Sequence, residues 1–174
     1  MSPAHRAYRY VGPGDLRASI RPDTAGRRID TEADFHTWAD ERTGAEWTEP
    51  FTFVISLEGS LLLAPRRSEH VACAGGAPVL SAGEISFRFR GDRWIVYEIS
   101  NQSTGYCPAP TSWPNVATAL ERANLEHPGR FTHEIVFRRC PACRELNIVR
   151  EDDFACVFCD AELPDSWNVD LADA

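Results

Sequence analysis

The chain has 174 residues, 43% of them hydrophobic, and a formal net charge of −8, which suits one compact domain with a small appended module. All eighteen basic residues are arginine, so lysine Schiff-base chemistry and a Walker-type lysine are excluded. The acidic balance argues against a general binder of duplex DNA, and no run of eighteen apolar residues is present to cross a membrane.

The opening Met1-Ser-Pro-Ala-His-Arg6 lacks the apolar core of a secretory signal, which gives the expectation of a cytoplasmic, reducing location. Residues 1–30 are broken by Gly12-Pro-Gly14 and Arg21-Pro22 and read as irregular or edge structure, pinned by Tyr8, Tyr10, Val11 and Ile20. Thr31-Glu-Ala-Asp34 has the form of a capping box. It predicts a short helix ending near Arg42, with Phe35, Trp38 and Ala39 on its buried side and His36 at the surface.

From Phe51 the period changes to two. Phe51, Phe53, Ile55 and Leu57 alternate with polar neighbours, Glu58-Gly59 turns the chain, and Leu61-Leu-Leu63 returns it. Residues around His70-Val-Ala-Cys-Ala74 are expected to be extended, ending at Gly75-Gly76. A second hairpin follows, with Ile85, Phe87 and Phe89 on one arm, Gly91-Asp92 at the turn and residues 94–100 on the other. These runs predict a meander of four or five antiparallel strands with one wet face. Ser112 is placed as the cap of a second helix with Pro114 in its first turn and Val116, Leu120 and Ala123 buried, stopped by His127-Pro-Gly129. Residues 131–137 read as a last strand leading into Cys140.

The C-terminal part carries Cys140-Pro-Ala-Cys143 and Cys156-Val-Phe-Cys159. Two CxxC pairs flanking a hairpin can bring four sulfurs to one tetrahedral ion. Paired disulfides are the alternative, and a thioredoxin-like redox motif explains one such pair rather than two. The segment resembles the zinc ribbon over residues 138–168. That resemblance implies zinc ahead of iron, held by Cys140, Cys143, Cys156 and Cys159 in a closed, structural site. Ribbons commonly place glycine after the second cysteine, where positive φ is wanted; here those positions are Arg144 and Asp160. Four thiolates and one Zn²⁺ would take the net charge from −8 to about −10. The organisation expected is an α+β domain over 1–137, the ribbon over 138–168 and a frayed acidic tail over 169–174.

Ser100-Asn-Gln-Ser-Thr-Gly-Tyr-Cys-Pro108 is a polar loop after an apolar strand, a place where binding groups gather. Counting along the second hairpin sets Glu84 near Ile99 and Ser100. If the open ends of the two hairpins lie together, Arg66, Arg67, Glu69, His70, Glu84, Asn101, Gln102, Ser103, Thr104 and Cys107 form a cluster. One reading makes Cys107 a nucleophile activated by His70 with Glu84, over a cradle of 102–104 amides. A second makes the loop a self-satisfying turn, Cys107 a small buried hydrophobe and His70 a bonded core histidine. A Cys107–Cys73 contact and a second metal site at His70 remain further options. Residues 66–76 and 100–108 are similar to motifs of a bacterial family that carries no reaction over to this chain.

The function expected is a cytosolic, zinc-stabilised binding or regulatory module for a protein or small anionic ligand. Arg66, Arg67, Asn101, Gln102, Ser103 and Thr104 are its expected contacts, with duplex DNA and membranes excluded as partners. The alternative is a hydrolase or transferase centred on Cys107, His70 and Glu84.

Overall fold

The structure is a computed structural model and describes residues 6–170. The N-terminal hexapeptide therefore lies almost wholly outside the described residues, as do residues 171–174 of the acidic tail.

The centre is a five-stranded antiparallel sheet. Its strands are β1 (Arg27–Ile29), β2 (Phe51–Ser56), β3 (Leu61–Ala64), β4 (Val79–Arg90) and β5 (Arg93–Ile99), in the order β1-β3-β2-β4-β5. Both expected hairpins are present, but β1 adds to the edge beside β3, so the sheet is not a simple meander. Four helices accompany it: α1 (Gly14–Ala18), α2 (Glu32–Asp40), α3 (His70–Cys73) and α4 (Trp113–Arg122).

One face of the sheet packs α2 and α4 over Phe53, Ile55, Leu61, Leu63, Ile85 and Phe87. Helix α2 starts on the expected capping box. Thr31 Oγ1 accepts from Asp34 N, and Asp34 Oδ2 accepts from Thr31 N, both at 3.1 Å. Its Phe35 and Trp38 join Phe51, Phe87, Trp47 and Trp94 in an aromatic cluster, Trp47 stacking on Trp94 at 4.2 Å between centroids. Helix α4 differs from expectation at both ends. Ser112 makes no cap; its Oγ lies 2.9 Å from Ser81 Oγ, and a 3-10 turn, Pro110–Ser112, leads in. The helix ends five residues before His127, where Asn124 takes a left-handed conformation (φ 54°) and Leu125 N donates to Leu120 O. Asparagine tolerates that region, which lets the chain close the helix locally.

The other face is not wet across its width. Val54, Ala64, Val79 and Ala82 are buried under Tyr8, Val71, Tyr106 and Ala109. The 70–74 segment, expected to be extended, is α3. Its Cys73 N–H donates to Glu69 O, because Gly75 and Gly76 with positive φ end it one turn later. The polar loop covers this face as well, with Tyr106 Oη donating to Ala77 O at 2.7 Å. The corner formed by the β4–β5 pair is left open on this side.

Residues 131–135, expected to be a strand, run beside the end of β5. Thr132 N donates to Ile99 O, and Thr132 Oγ1 accepts from Ile99 N. The strand proper is β6 (Val136–Arg139), which pairs with β7 (Leu146–Val149) in a separate two-stranded sheet. The segment leading into the ribbon is thus held to the sheet by a few backbone and side-chain bonds rather than by a continuous strand. The chain from Pro164 to Asp170 returns over the first domain. Trp167 Nε1 donates to Cys107 O at 2.7 Å, and its ring meets Tyr8 edge-on. Val169 is fully buried and Asp170 pairs with Arg9, so 169–170 are packed, not frayed.

Candidate metal centre and the polar loop

Each CxxC closes a knuckle with an N–H to the first sulfur and the same N–H to carbonyl bond four residues on. Cys143 N lies 3.5 Å from Cys140 Sγ, and Arg144 N donates to Cys140 O; Phe158 N lies 3.4 Å from Cys156 Sγ, and Asp160 N donates to Cys156 O. These closures need a left-handed residue after the second cysteine, and Arg144 (φ 68°) and Asp160 (φ 63°) supply it without glycine. The four Sγ atoms lie within 4.8 Å of one another, and the Cys140–Cys159 and Cys143–Cys156 sulfurs are 3.6 Å apart. Thiolates at about 2.3 Å from one tetrahedral ion are about 3.8 Å apart, so the cluster has the dimensions of a four-sulfur metal site. It could hold a metal ion. All six cysteines are unpaired, so the disulfide alternative is not realised.

The donors around the sulfurs fit thiolates. Asn147, buried, gives its Nδ2 to Cys156 Sγ at 3.4 Å and to Glu145 O, while its Oδ1 accepts from Val157 N at 3.0 Å. Burial opposes ionisation of Cys156, but the Phe158 and Cys159 N–H groups and the Asn147 amide outweigh it and draw the thiol down to about 6. Its neighbour Cys143 is pushed up to about 12. The backbone at Glu145 would lower it, but burial and the surrounding sulfurs prevail, since crowded thiols cannot all ionise without a cation between them.

Arg138 and Arg139 are carbonyl clamps. Arg138 donates to Phe137 O, Pro164 O and Asp165 O, and Arg139 to Val169 O and Arg144 O. Asn168 pairs with the Arg139 backbone at both Oδ1 and Nδ2. None of these roles had a sequence signal, because they depend on carbonyls from distant segments. The tips of the knuckles behave differently. Pro141 and Ala142 are exposed, as are Val157 (77%) and Phe158 (63%).

The expected cluster around the 100–108 loop does not assemble as one site. Asn101 is fully buried. Its Nδ2 donates to Pro108 O and Ile135 O, both at 2.8 Å, and its Oδ1 accepts from Ile135 N at 2.7 Å. Ser103, also buried, accepts from Tyr106 N and Cys107 N. Thr104 is exposed and gives its carbonyl to Cys107 Sγ at 3.3 Å. Arg66 pairs with Glu49, and Arg67 takes a left-handed turn conformation (φ 61°). Glu84 does meet the loop as counted, its backbone O accepting from Ser100 N.

Cys107 is sealed between Phe137, Val169 and Trp167, and burial pushes its thiol up to about 12 against the weaker pull of Arg139. His70 Nε2 is spent on Gly83 O at 2.8 Å, and among the described residues no hydrogen bond joins it to Cys107. A protonated, enclosed thiol without a base is not an activated nucleophile. Cys73 lies in a different apolar cluster from Cys107, and among the described residues no second group of metal-ligating side chains accompanies the four cysteines.

Gln102 reaches the open corner of the sheet instead. It borders a cleft of about 320 Å³ whose walls include Glu84, Glu98 and His133. Comparison with protein-family models, with curated proteins and with solved structures gave no match. Among the described residues, no helix is long and apolar enough to cross a membrane.

Proposed function

We propose that this chain is a zinc-stabilised binding module of a reducing, cytosolic compartment, and that its partner is a protein. The observation that carries the reading is the apolar tip of the metal cluster, where Val157 and Phe158 are exposed beside Pro141 and Ala142 on knuckles that a bound ion would hold rigid. Exposed apolar residues on a preorganised surface favour association, since little side-chain or backbone freedom is left to lose on binding. Zinc fits four thiolates in a closed site, and there it organises the fold rather than activating water. Two buried thiols and four cysteines grouped for a metal, with no disulfide among the six, fit a reducing compartment.

The small anionic ligand and the thiol-based enzyme find less support. Asn101, Ser103 and His70 are spent on backbone groups inside the fold, Arg66 is paired with Glu49, and Cys107 has no base beside it. Duplex DNA also stays outside the proposal, because Arg138 and Arg139 are committed to carbonyls and the chain is acidic. A photo-crosslinking residue at position 158 should join the metal-loaded chain to one dominant protein. The purified pair should then bind, and Phe158→Glu should abolish binding at unchanged metal content. Binding that survives Phe158→Glu, or diffuse crosslinking with no dominant product, overturns the reading.

A further inference from the structure

We infer that the cleft at the β4–β5 corner is a binding site for an organic cation, an ammonium or guanidinium group on a short aliphatic stem. The cleft lies on the sheet face that α3 and the polar loop leave uncovered there. Alternation along the strands brings Glu84 and Ser86 of β4 to this face, and Glu98 lies directly opposite Ser86 on β5. Gln102 and His133 close the far side, and Pro50 and Ile135 supply apolar wall.

Three observations define the guest. Glu84 and Glu98 are both exposed, and among the described residues neither carboxylate has an ion-pair partner, although Arg66, Arg93 and Arg122 are each paired with other acids. No arginine lines the cleft, so an anion would meet two like charges and no fork to hold it. Ser86 is 4% exposed, faces the cleft, and among the described residues its hydroxyl has no hydrogen-bond partner. With no protein partner and a place in the cleft wall, that hydroxyl is available to accept a guest's N–H.

The size separates an organic cation from a bare ion. Glu84, Glu98 and His133 do not bring their ligand atoms within 4.8 Å of one another, whereas the four cysteines do. The three groups therefore do not close together on a single metal ion. A volume of about 320 Å³ is at the low end for small-molecule sites and suits a charged head with a few methylenes. Pro50 and Ile135 would cover the stem, and the carboxylates, the Ser86 hydroxyl and the Gln102 amide would receive the head. Two sources share this chemistry: a free amine or guanidine, and the side chain of a lysine or arginine on a partner protein.

The test uses the full metal-loaded chain, with ¹H–¹⁵N spectra and calorimetry. The probes are 1,4-diaminobutane, N-butylguanidine and the doubly capped amides of lysine and arginine, with sodium phosphate as the anionic control. Saturable shifts at Ser86, Glu98 and Gln102 are expected with the cations and not with phosphate. Glu84→Gln and Glu98→Gln should each weaken binding about tenfold, the loss of one charge-assisted hydrogen bond. Ser86→Ala should weaken it by a smaller factor. Thermal unfolding should stay unchanged in both glutamine variants, because neither carboxylate gives up a partner. Capped amides binding as well as the free amines assigns the site to a partner's side chain; free amines alone assign it to a small molecule. Spectra unmoved by every cation, equal binding by the Glu84→Gln/Glu98→Gln double variant, or equivalent shifts with phosphate would each overturn the inference.

Discussion

The side chain of Asn101 pairs with the backbone of Ile135 as a neighbouring strand would, accepting from its N–H at 2.7 Å and donating to its carbonyl at 2.8 Å. This pair joins the end of the sheet to the segment that leads into the ribbon. With the third bond, to Pro108 O, both Nδ2 hydrogens are used. Asn101→Ala would leave one buried and two part-buried backbone groups without their partner, and a loss of about 2–4 kcal/mol in urea unfolding is expected. Gln102→Ala, one residue on and bordering the cleft, should change stability by about 0.5 kcal/mol or less. Equal effects from the two variants would contradict this division of the loop.

Gly83 is the second fixed point of the same junction. A Cβ there would lie 1.8 Å from Ser100 O and 3.0 Å from Asn101 Cα, backbone atoms that cannot rotate away. Gly83→Ala should cost about 3 kcal/mol or more, an overpacking penalty with no flexible side chain to absorb it. A melting temperature within a degree of wild type would show that the junction yields.

His70 should make the fold sensitive to acid. Burial holds its imidazole below the ordinary value of 6.5, and the Gly83 carbonyl only partly opposes this. Below pH 6.5 the unfolded chain therefore takes up a proton that the folded chain resists, so stability falls as pH drops through that value toward the folded one. The contribution is at most about 1.4 kcal/mol per pH unit. His70→Gln should flatten the profile between pH 7.5 and 5.5 in urea titrations. Parallel profiles for the two proteins would remove His70 as the cause.

The thiols should fall into two classes. Burial raises Cys73 and Cys107 to about 12, so both should resist iodoacetamide at pH 8 while the chain is folded. Cys140, Cys143, Cys156 and Cys159 should be protected by bound metal and become labelled after chelation. Peptide mapping before and after chelator decides this, and preferential labelling of Cys107 in the untreated protein would revive its role as a nucleophile.

Local patterns were legible in the sequence and long-range commitments were not. The capping box of Thr31 and Asp34, both hairpins and the knuckle positions Arg144 and Asp160 depend on neighbours within a few residues, and they form as read. The partners of the 100–108 loop were not legible, because Asn101 and Tyr106 bond to Ile135 and Ala77, far along the chain. Arg138 and Arg139 look like free surface charge until the 164–170 segment brings its carbonyls to them. Glu98 and Ser86 could have been found: the hairpin register places them opposite each other on the polar side, and only the expected anion drew attention elsewhere.

The central claim is that a zinc ion bound by the four cysteines organises the C-terminal module. X-ray absorption at the metal edge on tag-free protein, with elemental analysis of the same sample, tests it most directly. One zinc per chain in a shell of four sulfurs at about 2.3 Å is the predicted result. A shell containing oxygen or nitrogen, a different metal at full occupancy, or metal-free protein with intact folding would contradict it.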